Sequence, residues 1–296
     1  MTTWAELLAT NQPIVADGAM GTMLMTNGLE FGDPPELWNL EHPEIIRRVQ
    51  RAYIDAGAQI LLTNTFGGNR PRLELHGRQD RVDELNRTAA VLARVEANAA
   101  DHPVLVAGDI GPSGQIMAAI GGTLTPEIAR DVFAEQARGL AAAGVDVMWV
   151  ETMSDVSETV AAIQGAKDAA PDVPVIATMS FDTRGHTMMG VTPERAAEAL
   201  LGAGAAAIGG NCGNGPEEVI PVIEKMRAAF PDAVLVAKGN VGQPTLVGMT
   251  VAYETTPEMM AGFARRFADA GANVIGACCG STPPHLRAMA EALARG

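Results

Sequence analysis

Cysteine is scarce in this chain: three residues among 296, an odd count without paired spacing, leave no disulfide framework to staple the fold. Aromatic residues make up only 4%, so a site walled by several aromatic rings has little to draw on. Basic residues are outnumbered 21 to 35 by acidic ones, and a formal charge of -14 repels phosphate backbones and anionic lipid, so neither nucleic acid nor a membrane is an expected partner. No apolar run approaches the roughly 18 residues of a membrane span, and the N-terminal MTTWAELLATNQPIV lacks a basic stretch leading into an apolar core. A cytoplasmic location, where thiols stay reduced and serve metals or catalysis, is the expectation. The sequence also has no G-x-G-x-x-G strand-to-helix turn, no P-loop, no G-x-S-x-G elbow and no H-E-x-x-H helix. Dinucleotide binding, nucleotide hydrolysis, serine hydrolysis and histidine-type zinc proteolysis therefore lose their usual signatures.

What the chain does have is a repeated grammar. Eight short apolar, β-branched runs are spaced along it: Pro13 to Asp17, Ile60 to Phe66, Val104 to Ile110, Val145 to Glu151, Val175 to Phe181, Ala206 to Cys212, Val234 to Asn240 and Val274 to Cys278. They lack strict polar alternation, as strands buried on both faces do. Between them lie amphipathic helical segments such as His42 to Ala56, Pro126 to Ala143 and Pro257 to Ala270. Proline recurs in the first helical turn, at Pro43, Pro126, Pro193, Pro216 and Pro257, where its missing N–H costs nothing. Ala-Gly pairs at 56-57, 143-144 and 270-271 mark helix ends. Eight strand-helix units predict one (β/α)8 TIM barrel, an α/β fold, covering residues 1–296, with Glu30 to Pro35 an inserted loop after the first strand.

Active sites of such barrels lie at the C-terminal ends of the strands. Here those ends are polar: Asp17, Asn64 with Thr65, Asp109, Glu151 with Thr152, Ser180 with Asp182, Asn211 with Cys212, Asn240, and Cys278 with Cys279. All three cysteines fall at two of these ends. Three thiolates around zinc (Zn2+) leave a fourth tetrahedral position open, the arrangement of a catalytic site. Of the five histidines, only His186, in the loop after the fifth run, is placed to approach. A thiol entering the open position is deprotonated and becomes a nucleophile near neutral pH, which suits alkyl transfer to sulfur better than water activation. The competing readings are a redox or metal-sensing barrel built on Cys278 and Cys279, and an aldolase with Lys238 as Schiff-base lysine, although Lys238 reads as a support residue.

With DGAMG at 17–21, NTFGGN at 64–69, GDIGPSG at 108–114, ET at 151–152, SFD at 180–182, GNCGNGP at 210–216 and GACCGSTPPH at 276–285, the chain resembles the homocysteine S-methyltransferase family. It is similar to short bacterial betaine-homocysteine methyltransferases and to the homocysteine module of cobalamin-dependent methionine synthases. The resemblance implies that Cys212, Cys278 and Cys279 ligate zinc, while Glu151 and the Asp17, Gly18, Ala19 turn hold the amino acid part of homocysteine. Asn64 and Ser180 are further substrate-binding candidates. It also implies methionine as product, from homocysteine and a methyl donor. Where animal betaine enzymes place a tyrosine after the phenylalanine of the second strand, this chain reads Phe66-Gly67. Phe66 and Trp38 are what remains for a reduced aromatic cage, and Met188-Met189 reads as core filling. No cobalamin- or folate-binding segment follows the barrel, so such a donor is expected on a separate corrinoid or folate protein. A homo-oligomer stays open.

Overall fold

The structure, a computed structural model, describes residues 2–242, 245–247 and 250–295. Each of the eight apolar runs contains or overlaps a strand. In chain order the strands are β1 (Ile14–Val15), β2 (Ile60–Leu62), β3 (Leu105–Ile110), β4 (Val147–Met153), β5 (Val175–Met179), β6 (Ala207–Cys212) and β7 (Leu235–Gly239), then a short hairpin of β8 (Thr245–Val247) and β9 (Thr250–Ala252), then β10 (Val274–Ala277). The main sheet runs β1-β10-β7-β6-β5-β4-β3-β2, every pairing parallel. An Ala16–Ile60 bridge joins its two ends, with the Asp17 amide donating to the Ile60 carbonyl at 3.0 Å. The ring is closed as a (β/α)8 barrel, as the sequence predicts. The hairpin was not foreseen.

Side chains alternate between two compartments, as the pleat requires. Ile14, Ala16, Ile60, Leu62, Leu105, Ala107, Val147 and Trp149 belong to the interior cluster, and Trp4 and Leu7 of the N-terminal helix Trp4–Leu8 pack into it. The intervening residues, such as Val15, Leu61, Val106 and Met148, pack in the larger cluster against the helices. Those helices start as their sequences dictate. Thr125, Thr192 and Thr256 each accept a hydrogen bond from the third helical amide, with proline opening the helix. They stop where glycine follows: Gly57 (φ 105°) and Gly271 (φ 100°) take the left-handed conformation that ends a helix.

One expectation is corrected. Met188 and Met189 are not core filling; they stand exposed, 68% and 41%, in the loop after β5, because they form the tip of a turn closed by the Gly190 amide donating to the Thr187 carbonyl at 2.8 Å. No helix among the described residues is long and apolar enough to cross a membrane.

Candidate functional site

The C-terminal strand ends open on a cavity of about 460 Å³. Cys212 ends β6, while Cys278 and Cys279 follow β10, with β7 running between. The Cys212 and Cys278 sulfurs lie 2.9 Å apart, and all three Sγ atoms fall within 4.8 Å of one another. Three sulfurs on a tetrahedral zinc stand about 3.8 Å apart, given Zn–S bonds near 2.3 Å, so small side-chain rotations take these thiols to that spacing. No histidine or carboxylate joins the group among the described residues. His186 stays in its own turn, its Nδ1 at 3.2 Å from the Arg184 carbonyl. An all-sulfur donor set with one position left over fits a catalytic rather than a structural zinc.

The backbone is bent to make this constellation. Cys212 and Thr152 both adopt positive φ (59° each), a conformation costing a non-glycine residue about 1–3 kcal/mol. The β4–β5 register shifts between Val150 and Met153, a bulge that re-aims Glu151. Buried Asn211 ties the two bends together. Its Oδ1 accepts from the Thr152 amide at 2.9 Å, and its Nδ2 donates to Thr152 Oγ1 at 2.7 Å and to Cys212 Sγ at 3.4 Å. On the other side, the Cys278 amide donates to the Gly239 carbonyl and the Val241 amide to the Cys279 carbonyl, pinning the two cysteines to the end of β7 and to the loop that follows it.

Beside the sulfurs sits a buried charge cluster. Lys238 Nζ lies 3.1 Å from Asp17 Oδ1, 4.0 Å from Glu151 Oε2 and 5.1 Å from the centre of the Trp149 ring. Burial works against the ammonium, but Asp17 and Glu151 outweigh it and hold the lysine pKa above its ordinary value. A lysine so held is no Schiff-base nucleophile. Burial raises the Asp17 carboxyl, opposed by Lys238 and by the Leu62 amide, which donates to Oδ2 at 2.8 Å. Glu151 is pushed up to about 7, by burial first, with Lys238 opposing and Cys278 and Asp17 adding. Asp109 rises well above the carboxylate range through burial and the charge of Glu151. Glu151 Oε2 and Asp109 Oδ1 are buried without a hydrogen-bond partner among the described residues, and both residues line the cavity. Two buried carboxyls with open acceptors make a place for a cation.

The Asp17 to Ala19 turn is anchored rather than free. The Ala19 amide donates to Ser281 Oγ at 2.9 Å, and Tyr53 OH donates to the Ala19 and Ser281 carbonyls at 3.0 and 3.2 Å. Gly18 is required here, since a Cβ would come within 2.6 Å of Ser281 Oγ and 2.7 Å of the Tyr53 ring. Asn64 lines the cavity and donates to the Pro35 carbonyl (2.8 Å) and to Asn39 (3.1 Å), fastening the segment before Trp38. Phe66 lines the cavity too. Trp38 and Ser180 do not: Trp38 packs edge-on against His42 at 4.6 Å, and Ser180 Oγ donates to the Asn211 carbonyl at 3.2 Å. Tyr53, Ser281, Glu36 and Arg72 also shape the site, and sequence reading passed over all four. Ser281 alone carried a signal, its place in GACCGS.

Known proteins resemble this chain in fold and in sequence. A homocysteine methyltransferase, MmuM, from Escherichia coli superposes with TM-scores of 0.81 in its oxidized form and 0.80 in its metallated form, at 24% identity over 98% of both chains. Methionine synthases of Mycobacterium leprae and Mycobacterium tuberculosis are each 32% identical over 95% of this chain. The chain spans about a quarter (24%) of the length of these two. The family model described as homocysteine S-methyltransferase matches residues 14–293, from the first barrel strand to the last helix, and by that match the chain belongs to the homocysteine S-methyltransferase family.

Proposed function

We propose that this chain moves a methyl group from a small onium donor, betaine-like in kind, to the sulfur of homocysteine, giving methionine, with zinc held by Cys212, Cys278 and Cys279. The observation that carries this reading is the convergence of three sulfurs and the open acceptor of Glu151 on one cavity. Zinc in such a set supplies an open position that keeps the substrate sulfur a thiolate near neutral pH. Glu151, with Asp109 beside it, takes the substrate ammonium. The Asp17 to Ala19 turn, held from behind by Tyr53 and Ser281, is the wall against which the amino acid lies. Asp17 acts through Lys238, to which its charge is committed. The thiol proton leaves to solvent, sulfur attacks the methyl carbon in line, and the donor's bond to that carbon breaks with its electron pair going to a neutral leaving group.

Glu151 accepts an ammonium only when ionised. With its pKa at about 7, homocysteine affinity is expected to rise with pH through that value. Glu151→Gln is expected to raise the homocysteine KM about 10- to 100-fold, the worth of a hydrogen bond to a charged group, and to flatten the pH dependence. Steady-state kinetics from pH 6 to 8.5 check both.

A second reading takes the methyl group from a corrinoid or folate borne by a separate protein, and the identity to methionine synthases favours it. Methionine formation by zinc-loaded protein, with betaine, dimethylsulfoniopropionate, S-methylmethionine and methylcobalamin offered separately, decides between the two. Turnover with an onium supports the first reading, and turnover with methylcobalamin alone supports the second. Silence with all four sinks both.

A further inference from the structure

One side chain reaches both halves of the amino thiol site. Asn211, 1% exposed, is the penultimate residue of β6 and precedes Cys212, while Thr152 follows Glu151 near the end of β4. These strands are not neighbours, since β5 stands between them in the ring. The last residue of β5, Met179, pairs with Met153 on one side and with Gly210 on the other, so Asn211 is the first residue of β6 beyond that end. From there its side chain reaches across to β4. Ser180 closes the same place, its amide donating to the Met153 carbonyl at 2.9 Å and its hydroxyl to the Asn211 carbonyl at 3.2 Å.

The bonds settle which way the Asn211 amide points. The Thr152 backbone N–H can only donate, so the atom it meets at 2.9 Å is the Asn211 oxygen. The NH2 group therefore faces Thr152 Oγ1 at 2.7 Å and Cys212 Sγ at 3.4 Å. Both tied residues hold the left-handed conformation, φ 59° each, which a non-glycine residue keeps only where its surroundings enforce it. Cys212 supplies a sulfur at the thiol end of the proposed site. Thr152 is joined directly to Glu151, whose open acceptor is the ammonium end. In homocysteine a three-carbon chain parts nitrogen from sulfur, so both ends bind at once only if the two halves of the site keep their separation.

Resting on the homocysteine reading above, we infer that Asn211 is a positioning residue that locks the thiol end of the site to its ammonium end, so that the amino thiol is bound at both ends as one unit. Its loss therefore costs most to a ligand that uses both ends, and least to one that uses the sulfur alone.

The test compares homocysteine with 4-mercaptobutanoate, which is homocysteine without its amino group, by calorimetric binding to zinc-loaded wild type, Asn211→Ala and Thr152→Val. Wild type is expected to prefer homocysteine by about 10- to 100-fold, the worth of a hydrogen bond to a charged group. In Asn211→Ala the preference shrinks to less than about fivefold, because two groups that were coupled now act separately. Thr152→Val, which keeps the backbone bond and removes only the hydroxyl partner, lowers the preference by about two- to fivefold and carries the comparison if Asn211→Ala does not fold. With cobalt in place of zinc, the sulfur-to-metal charge-transfer band of Asn211→Ala is expected at longer wavelength, since a thiolate that loses an N–H donor holds its lone pairs less tightly. A preference that survives in both variants, with the two thiols weakened alike, overturns the inference and leaves the residue a support of fold or metal alone. So does an unmoved cobalt band, which would take Cys212 out of its reach. Equal affinity of wild type for the two thiols overturns the ammonium site at Glu151 and the inference with it.

Discussion

Cys279→Ala is expected to yield a folded barrel that no longer retains zinc through dialysis and turns over at less than about one hundredth of the wild-type rate. That loss exceeds the ~10–100-fold seen when only a residue orienting a metal's ligands is removed. The side chain can be lost without harm to the fold because Cys279 is exposed and its backbone contact, the carbonyl accepting from the Val241 amide, survives the substitution. Metal analysis and methionine formation on the same preparation check it. Full zinc retention with two sulfurs left, or undiminished turnover without zinc, would refute the proposed role of the three cysteines.

Lys238→Met is expected to destabilise the protein by about 3–5 kcal/mol, the usual result of removing one partner from a buried ion pair. On a chain of this size that lowers the melting temperature by roughly 5–15 °C. Among the described residues the lysine is the cation set against Asp17, Glu151 and Asp109, and methionine fills its volume but not its charge. The deficit also has a pH sign. Carboxyls whose folded pKa is raised contribute stability below their unfolded pKa, near 4, and lose it as pH climbs through the folded value, about 7 for Glu151 and higher once the lysine is gone. The variant should therefore sit closer to wild type at pH 5.5 than at pH 8. Melting curves at the two pH values check this, and Asp17→Asn in the same background should recover part of the loss. Equal deficits at both pH values would mean that packing, not charge, is what the lysine supplies.

The strands were legible because both of their faces are buried and each run ends in a turn or a helix start. Val175 to Phe181 and Ala206 to Cys212, for example, hold β5 and β6 within two residues at either end. The second run extends past its strand: β2 stops at Leu62, since after the Thr63 amide donates to the Ala107 carbonyl the next turns bond within their own segment, Thr65 to the Thr63 carbonyl at 3.0 Å and Gly68 to the Thr65 carbonyl at 2.9 Å. The cysteine cluster was legible for a reason of topology, because parallel strands in a barrel bring all their C-terminal ends to one rim. The supports behind the site were not legible. Ser281 reaches Ala19 across 262 residues, and Tyr53 reaches Ser281 across 228, contacts that exist only once the ring has closed. Trp38, a candidate with Phe66 for a reduced aromatic cage, packs edge-on against His42 one helical turn further on, a pairing that residue type alone does not reveal.

The placing of the cysteines on either side of β7 would make a zinc bound as proposed answer for more than a reaction. Held by Cys212 at one end and by Cys278 and Cys279 at the other, it would clasp three neighbouring staves of the barrel, and the middle stave is the one that carries Lys238. Any ligand that binds only the folded form adds to its stability. Catalytic competence, the tautness of the rim and the seating of the buried cation would then rise and fall together with metal supply, so that a cell short of zinc would hold a slacker vessel as well as an idle catalyst.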